Sequence, residues 1–348
     1  DLIDITTIEQ DTQARVAYPD LAETIQFSMD QLKAQLGIKV FEASRAAAIK
    51  QVPERPKEFP QDLQLPPLEG VGNDYGFIER SVAAHWSGVN SQYTQRVSIV
   101  IPVYNRSREL DFVLAGLVHQ TYPKHLMEVV IADDGSQENL SHVYKKYASH
   151  FKVQYCRQDD KGYRLAEARN LGIKTATADN IIILDSDAIP VPRLVESYMR
   201  VFHVHRGAAL FGLRHYISTT NITPEDVVKD AGKLKNIKRI RSENTVTTKH
   251  DADGFSVDWR LEKINATQGL KTEGLPYRFL VGANCGFTRD LFEKCGGYSA
   301  DFKAWGFEDQ EFGYRLMLNG AYFMPLMDAY VYHQEPLAGK NDTDRKLG

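Results

Sequence analysis

From Arg96 onward the chain alternates short unbroken apolar runs with stretches of helical spacing. Val97-Ser98-Ile99-Val100-Ile101, Val129-Val130-Ile131-Ala132 and Ile181-Ile182-Ile183-Leu184 read as buried strands, and residues 152–156 as a further strand. Apolar runs of this length without alternation suit a sheet covered on both faces. The intervening spacing predicts helices over 107–119, about 139–149 and 164–176. Strand and helix in alternation, each strand ending in a polar or glycine-containing loop, imply an α/β fold around a mostly parallel, doubly wound sheet. Ligands of such sheets bind at the carboxyl ends of the strands. Farther along, Phe312 and Leu316 would face the core from a helix that Glu308 and Asp309 begin, and a strand over 329–332 would be closed by His333. Before Arg96 the pattern differs. Leu21, Ile25, Met29 and Leu32 have helical spacing and predict one or two amphipathic helices. Pro53, Pro56, Pro60, Pro66 and Pro67 then make a stiff, extended connector.

Composition narrows the function. The chain has 348 residues, 43% hydrophobic and 25% charged, with net charge -4. That is ordinary globular composition, enough for one large domain or two moderate ones. Without a strongly basic field, bulk binding of nucleic acid or an anionic membrane has no support. No apolar stretch approaches the roughly 20 residues of a membrane span, and the amino terminus lacks a basic-then-apolar leader pattern. Cys156, Cys285 and Cys295 lack metal-ligand spacing and read as reduced thiols of a cytoplasmic protein.

Six polar clusters fall at or near the predicted strand ends. In Pro102-Val103-Tyr104-Asn105-Arg106 a tyrosine could stack on a nucleobase and Arg106 could reach a phosphate, although alone this is as readily a strand-to-helix turn. In Asp133-Asp134-Gly135-Ser136 a carboxylate could accept the N3–H of uracil; a helix cap with a tight turn reads as well. Asp160 could join that wall, and Arg169 could neutralise a diphosphate, against the plainer reading of a solvated charge cluster. Asp185-Ser186-Asp187 follows an apolar run; in an extended segment both carboxylates would share a face, suited to Mg²⁺ or Mn²⁺ bridging a diphosphate. Trp305-Gly306-Phe307-Glu308-Asp309 sets an indole plate beside an acidic pair, an arrangement for sugar, although acids in a first helical turn also suit the helix dipole. His333 could be a further metal ligand, where a lone histidine is more often structural.

The order and spacing of these clusters resemble an inverting glycosyltransferase of the GT-A fold, family 2. Within it they resemble the amino-terminal, hexosamine-transferring domains of bacterial chondroitin polymerases and their hyaluronan-synthase relatives. The resemblance runs from about Pro60 to Arg345 and is carried by Val257-Asp258-Trp259-Arg260-Leu261-Glu262, Gly282-Ala283-Asn284, Glu311-Phe312-Gly313-Tyr314-Arg315-Leu316, His333-Gln334-Glu335-Pro336 and Asn341-Asp342-Thr343-Asp344-Arg345. It implies a Rossmann-like, mostly parallel sheet. The apolar spacing before it adds a helical amino-terminal extension over 1–58, followed by a Pro-rich linker over 59–95 packed on the catalytic domain, and that domain over 96–348. Nucleotide binding would lie at about 96–190 and the acceptor part at about 191–348. By the same likeness Asp187 and His333 hold the metal with Asp185 nearby. Pro102, Tyr104, Asn105, Arg106, Asp133 or Asp134, Asp160, Arg169, Asp185 and Ser186 line the UDP pocket. Asp309 is the catalytic base, with Glu308 and Trp305 on the sugars. Two departures stand out: Ser186 replaces another small residue in the metal motif, and Phe307 stands where the family pattern has glycine.

The reaction implied is transfer of an N-acetylhexosamine, GalNAc ahead of GlcNAc, from a UDP-sugar to a glycan hydroxyl, with Mn²⁺ (or Mg²⁺) and inversion to a β-linkage. The polymerases carry a second transferase domain for which these 348 residues have no room, so the expectation is either a single-addition enzyme or one domain of a longer protein. Cytoplasmic placement, peripheral to the inner membrane beside a partner glycosyltransferase or assembly complex, goes with it. The alternatives are a nucleotidyltransferase, against which the absence of a Gly-rich basic loop after the first strand counts, and a non-catalytic GT-A module that binds glycan or stabilises a partner polymerase.

Overall fold

In the computed structural model, the residues described are 72–88, 92–237, 239–240, 251, 254–303 and 306–335. The chain divides into two compact units, Gln64–Ala300 with Ala304–Gly348, and Asp1–Leu63 with Asp301–Lys303. The architecture below is that of the first. The expected helices and connector before residue 72, and the motif from Asn341 to Arg345, lie outside the described residues.

Among the described residues, ten strands form two sheets. They are β1 (Val97–Val103), β2 (Met127–Asp133), β3 (Lys152–Arg157), β4 (Asn180–Leu184), β5 (Ala188–Pro190), β6 (Ala208–Phe211), β7 (Arg214–Ile217), β8 (Asn284–Thr288), β9 (Tyr322–Pro325) and β10 (Val331–Gln334). The larger sheet has seven strands in the order β3-β2-β1-β4-β8-β6-β9, and the smaller has the order β5-β10-β7. The β3-β2-β1-β4 side is wholly parallel, with Val97 opposite Met127 and Val103 opposite Asp133. β8 runs antiparallel to both β4 and β6. This is the GT-A arrangement, with the parallel half as anticipated.

The unbroken apolar strands have a direct explanation. Side chains alternate across a strand, so a strand covered on both faces needs an apolar residue at every position. Ile99 and Ile101 of β1 and Val129 and Ile131 of β2 enter one core, shared with Phe112 and Leu114 of the helix Ser107–Val118 and with Tyr198 and Phe202 of the helix Leu194–Phe202. Val100, Val130 and Ala132 enter the opposite core. There they meet Ala166 and Ile173 of the helix Leu165–Thr175 and Phe312 and Leu316 of the helix Glu308–Leu318.

Three expectations shift. The segment over 139–149 forms only a short helix, Ser141–Tyr144, followed by the 3₁₀ turn Lys145–Tyr147; Leu140, Val143 and Tyr147 still keep helical spacing and are buried. The last strand begins at Val331, because the Ala329 N–H closes a turn on the Leu326 carbonyl, so His333 lies inside β10 rather than after it. A helix absent from the sequence reading, Gly76–Trp86, precedes the sheet and is anchored to the helix Leu194–Phe202. Trp86 Nε1 donates to the Arg200 carbonyl at 2.9 Å. Buried Asn73 acts as a surrogate strand neighbour at the edge of β9. Its Nδ2 donates to the Phe323 and Leu270 carbonyls at 2.8 and 3.0 Å, and its Oδ1 accepts the Phe323 N–H at 2.7 Å. Among the described residues no helix is long and apolar enough to cross a membrane.

Removing the Asn73 amide strands two carbonyls and one N–H in a buried place, each a desolvation loss of about 1–3 kcal/mol. Asn73→Ala is expected to lower unfolding stability by about 2 kcal/mol or more, read as a shifted denaturant midpoint at constant m-value. An unchanged midpoint would show that residues 72–88 are not held by this contact.

Candidate active site

Arg169, in the middle of the helix Leu165–Thr175, is 1% exposed and faces the strand ends. Three carboxylates from distant segments converge on it. Nη1 donates to Glu308 Oε1 at 3.0 Å and to Asp309 Oδ1 at 2.9 Å, and Nη2 to Asp185 Oδ1 at 3.3 Å. The guanidinium also lies over the Tyr298 ring, 5.3 Å from its centroid. Asp309 Oδ2 accepts the Gly282 N–H at 2.8 Å. One cation for three anions leaves the acids imperfectly compensated. Burial pushes the Asp309 carboxyl up to about 7; Arg169 and the Gly282 amide oppose that, while Glu308 and Asp185 reinforce it. Arg169 itself is disfavoured as a cation by burial, but Asp309, Asp185 and Glu308 hold its pKa well above the usual value.

Gly282 permits this packing. A β-carbon there would sit 2.2 Å from Arg169 Nη2 and 2.7 Å from Asp309 Oδ1. Three polar atoms in the cluster, Glu308 Oε2, Arg169 Nε and the Tyr298 hydroxyl, are buried without a hydrogen-bond partner. Such atoms are uncommon in folded proteins and often mark places where a ligand completes the bonding.

The Asp185-Ser186-Asp187 segment is a turn, closed by the Ala188 N–H on the Asp185 carbonyl at 3.0 Å, and not the extended stretch expected. Its two aspartates therefore diverge. Asp185 faces Arg169, while Asp187 faces Arg106 and His333; buried Ser186 lies between them. The small sheet brings His333 there, because β10 runs antiparallel to β5 with His333 opposite Ala188. Arg106 Nη1 pairs with Asp187 Oδ2, and His333 Nε2 lies 3.5 Å from Asp187 Oδ1. Glu335 Oε1 lies 3.2 Å from the other ring nitrogen, off the line of a hydrogen bond. Burial opposes the charge on Asp187, but His333 and Arg106 hold its pKa below the ordinary carboxylate value. Burial likewise opposes charge on His333, yet Asp187 and Glu335 raise its pKa above the usual imidazole value.

Among the described residues no group of three or more His, Cys, Asp or Glu is arranged to hold a metal. Asp187 and His333 supply two adjacent donors, and Asp187 Oδ1 is buried without a hydrogen bond. A hard oxygen beside an imidazole fits an ion such as Mn²⁺ that takes the rest of its shell from phosphate and water.

The expected nucleotide wall is assembled in part. Tyr104 donates its hydroxyl to Asp160 Oδ2 at 2.9 Å, and Gln137 Nε2 reaches the same oxygen at 3.0 Å. Gly135 lets the two loops meet: a β-carbon there would fall 2.5 Å from the Asp160 backbone. Asp133 and Asp134 are both engaged internally. Asp133 accepts from the Ser136 N–H and the Tyr155 hydroxyl at 2.8 and 2.6 Å. Asp134 accepts from Gln158 Nε2 and the Arg164 N–H at 2.6 and 3.1 Å. Asn105 clamps its loop, accepting the Gln137 N–H at 2.8 Å with its own backbone at φ 49°. Pro102 is buried within β1. Trp305 lies outside the described residues. The sequence reading gave Gly282, Tyr298, Gln137 and Arg214 no role in the site, although Gly282 belongs to the Gly282-Ala283-Asn284 motif. Arg214, on β7 beside β10, is a half-buried cation whose Nε stands 3.7 Å from Asp258 without a hydrogen bond. Nothing in local sequence distinguishes these four, because each matters through a partner far along the chain.

Carboxylates and guanidinium groups gathered at the carboxyl ends of parallel strands, on a GT-A scaffold, are the layout of a sugar-transferring domain. The profile described as Glycosyl transferase family 2 matches residues 98–296, and one described as N-terminal domain of galactosyltransferase matches 270–331. The chain belongs to glycosyl transferase family 2. It is 39% identical over 310 residues to a chondroitin synthase of Pasteurella multocida (strain Pm70), covering 88% of this chain and 31% of that protein. It is 38% identical over 305 residues to a chondroitin synthase of Escherichia coli, 88% of this chain and 44% of that one. A hyaluronan synthase of Pasteurella multocida is 35% identical over 308 residues, 88% of this chain and 31% of that one. The chain thus spans less than half the length of these relatives. The structure of S. aureus TarS 1-349 in complex with UDP-GlcNAc superposes with TM-score 0.50 at 17% identity, covering 72% of this chain and 60% of that one, a likeness of fold.

Two outcomes are expected of the cluster. Asp309 binds its proton more tightly folded than unfolded, since an ordinary Asp sits near 4 and this one near 7. The stability it contributes is complete below about pH 4 and is lost as pH rises through about 7. Asp309→Asn should therefore gain on the parent as pH is raised from about 5 to about 8, by paired denaturant titrations; a gap that does not change with pH would refute the raised pKa. Gly282→Ala should displace Arg169 and Asp309 and destabilise by about 1–3 kcal/mol through overpacking, measured the same way; an unperturbed variant would contradict the close approach.

Proposed function

We propose that this chain is a metal-dependent inverting glycosyltransferase that moves an N-acetylhexosamine, GalNAc in preference to GlcNAc, from a UDP-sugar to the hydroxyl of a glycan acceptor. The observation that carries the reading is Asp309, a buried carboxyl with its pKa near 7, held 2.9 Å from Arg169. A general base works best with a pKa near the working pH, and here burial beside too few cations supplies it. Asp309 takes the proton of the acceptor hydroxyl. The acceptor oxygen forms its bond to the anomeric carbon as the bond from that carbon to the diphosphate breaks, and UDP carries the electron pair away. One displacement inverts the α-linked donor to a β-glycoside. Arg169 and Arg106 are the protein's cations toward the diphosphate, an electrostatic role. Asp187 and His333 would hold the divalent ion, which when bound supplies further positive charge to the leaving group. Glu308 orients the acceptor. Tyr104 and Asp160, with Asp133 or Asp134, would receive the uracil.

The relatives named chondroitin synthase and hyaluronan synthase support a glycan-building reaction, and the family resemblance supports the hexosamine. Placement in the cytoplasm, peripheral to the inner membrane beside a partner transferase, belongs to the same reading. A non-catalytic module is less well supported, because Asp309, Asp187 and His333 are all present, Asp309 beside Arg169 and Asp187 beside His333.

A panel of UDP-sugars, scored for Mn²⁺-dependent UDP release and then for transfer, tests the proposal. UDP-N-acetylhexosamines should lead, and EDTA should abolish release; full activity in excess EDTA would remove the metal. UDP with Mn²⁺ should raise the melting temperature by ligand linkage while GDP does so much less. Asp309→Asn should bind UDP but lose transfer on the order of 10²-fold or more, and the parent's kcat/KM should rise with pH through about 7. An α-linked product by NMR would refute inversion.

A further inference from the structure

Phe307 is the residue of the acidic motif that neither the fold nor the catalytic cluster explains. Its backbone sits at φ 70°, ψ −14°, in the left-handed region, immediately before the helix Glu308–Leu318. A side chain is disfavoured there and glycine is the ordinary occupant. The conformation is fixed from both sides: Gly306 precedes it at φ 105°, and the Phe307 carbonyl accepts the first helical bond from the Glu311 N–H at 2.9 Å. The ring gains nothing from burial to offset this. It is 41% exposed, while Glu308 and Asp309 beside it are 4% and 8% exposed. It belongs to neither hydrophobic core and stacks on no ring among the described residues. Local backbone physics and packing both favour glycine at this position, yet the residue is phenylalanine. A strained residue at a site boundary points to function.

A flat apolar ring next to carboxylates has a specific chemical complement. A pyranose presents one face of C–H bonds and a rim of hydroxyls, so it can lie on an aromatic face while its hydroxyls meet the acids. Buried Glu308 Oε2, the next residue along, lacks a hydrogen-bond partner and supplies such an acceptor. The choice between the two sugars follows from position. Arg106 and Asp187 mark the diphosphate side, at the ends of β1 and β4, whereas Phe307 lies two residues before Asp309, the group that meets the acceptor hydroxyl. We infer that Phe307 is a specificity-determining residue that stacks on the terminal sugar ring of the acceptor glycan. This rests on the glycosyl-transfer reading above.

The test compares Phe307→Ala, Phe307→Gly and Phe307→Trp with the parent in two measurements. The first is binding of a chondroitin hexasaccharide in the presence of UDP and Mn²⁺, by calorimetry and by saturation-transfer NMR. The second is steady-state kinetics with donor and acceptor varied separately. Loss of the ring should weaken hexasaccharide binding and raise the acceptor KM about tenfold. It should leave the donor KM and acceptor-free UDP release unchanged, and tryptophan should restore most of the loss. Phe307→Gly should also melt above the parent, since it relieves the left-handed backbone. Equal hexasaccharide binding by the parent and Phe307→Ala, including none by either, overturns the inference; so does a loss that falls equally on the donor. Failure of glycosyl transfer itself reads differently, as no UDP release from any sugar nucleotide by the parent.

Discussion

One buried guanidinium organises this molecule's functional half. Arg169 draws together Asp185 from the end of β4 and the Glu308–Asp309 pair from the start of a helix more than a hundred residues later. Burying a charge is costly unless it is paired and hydrogen-bonded, so none of the four groups is tolerable here without the others. The imbalance of three acids to one base matters as much as the pairing. It leaves Asp309 short of compensation and places its pKa near neutrality, which a fully matched salt bridge would not do. The acidic pair also occupies the first turn of its helix, where the dipole favours negative charge. The arrangement is therefore both affordable and poised.

A second constraint joins the two sheets. Asn284 on β8 donates to the Ala329 carbonyl at 2.6 Å and accepts from the Tyr198 hydroxyl at 2.8 Å. Gly212 lies so close to the same carbonyl that a β-carbon would stand 1.9 Å from it. Buried Arg260 ties Asp258 to the Gly212 and Phe279 carbonyls at 2.7, 2.8 and 3.0 Å. These contacts seat the chain leading into β10, and through it His333, against Asp187. The Asp187–His333 pair thus depends on packing well away from either residue.

The strands were legible because burial on both faces removes alternation, and a run such as Ile181 to Leu184 has few other uses. The start of the last long helix was legible because Glu308 and Asp309 suit the positive end of the helix dipole and Phe312 and Leu316 follow at helical spacing. Other features lay beyond local pattern. The divergence of Asp185 and Asp187 depends on a turn whose closing bond carries no residue signature. The internal satisfaction of Asp133 and Asp134 depends on Tyr155, Gln158 and Arg164, which meet them only after β3 pairs with β2. Asn105 reads as a nucleotide contact in one dimension, and its part in clamping the loop shows only in three.

Sequence by itself determined the class of fold, the sheet's parallel half and the residue types gathered at its edge, because hydrophobic period and strand-end polarity are local properties. Tertiary structure alone decided which acids share Arg169, that Gly282 must lack a side chain and that Asp309 is the carboxyl left undercompensated. It also revealed Phe307 as a strained, exposed ring. Each of these depends on distances between segments remote in the chain, or on a backbone angle imposed by its surroundings, and neither quantity is written in the order of the residues.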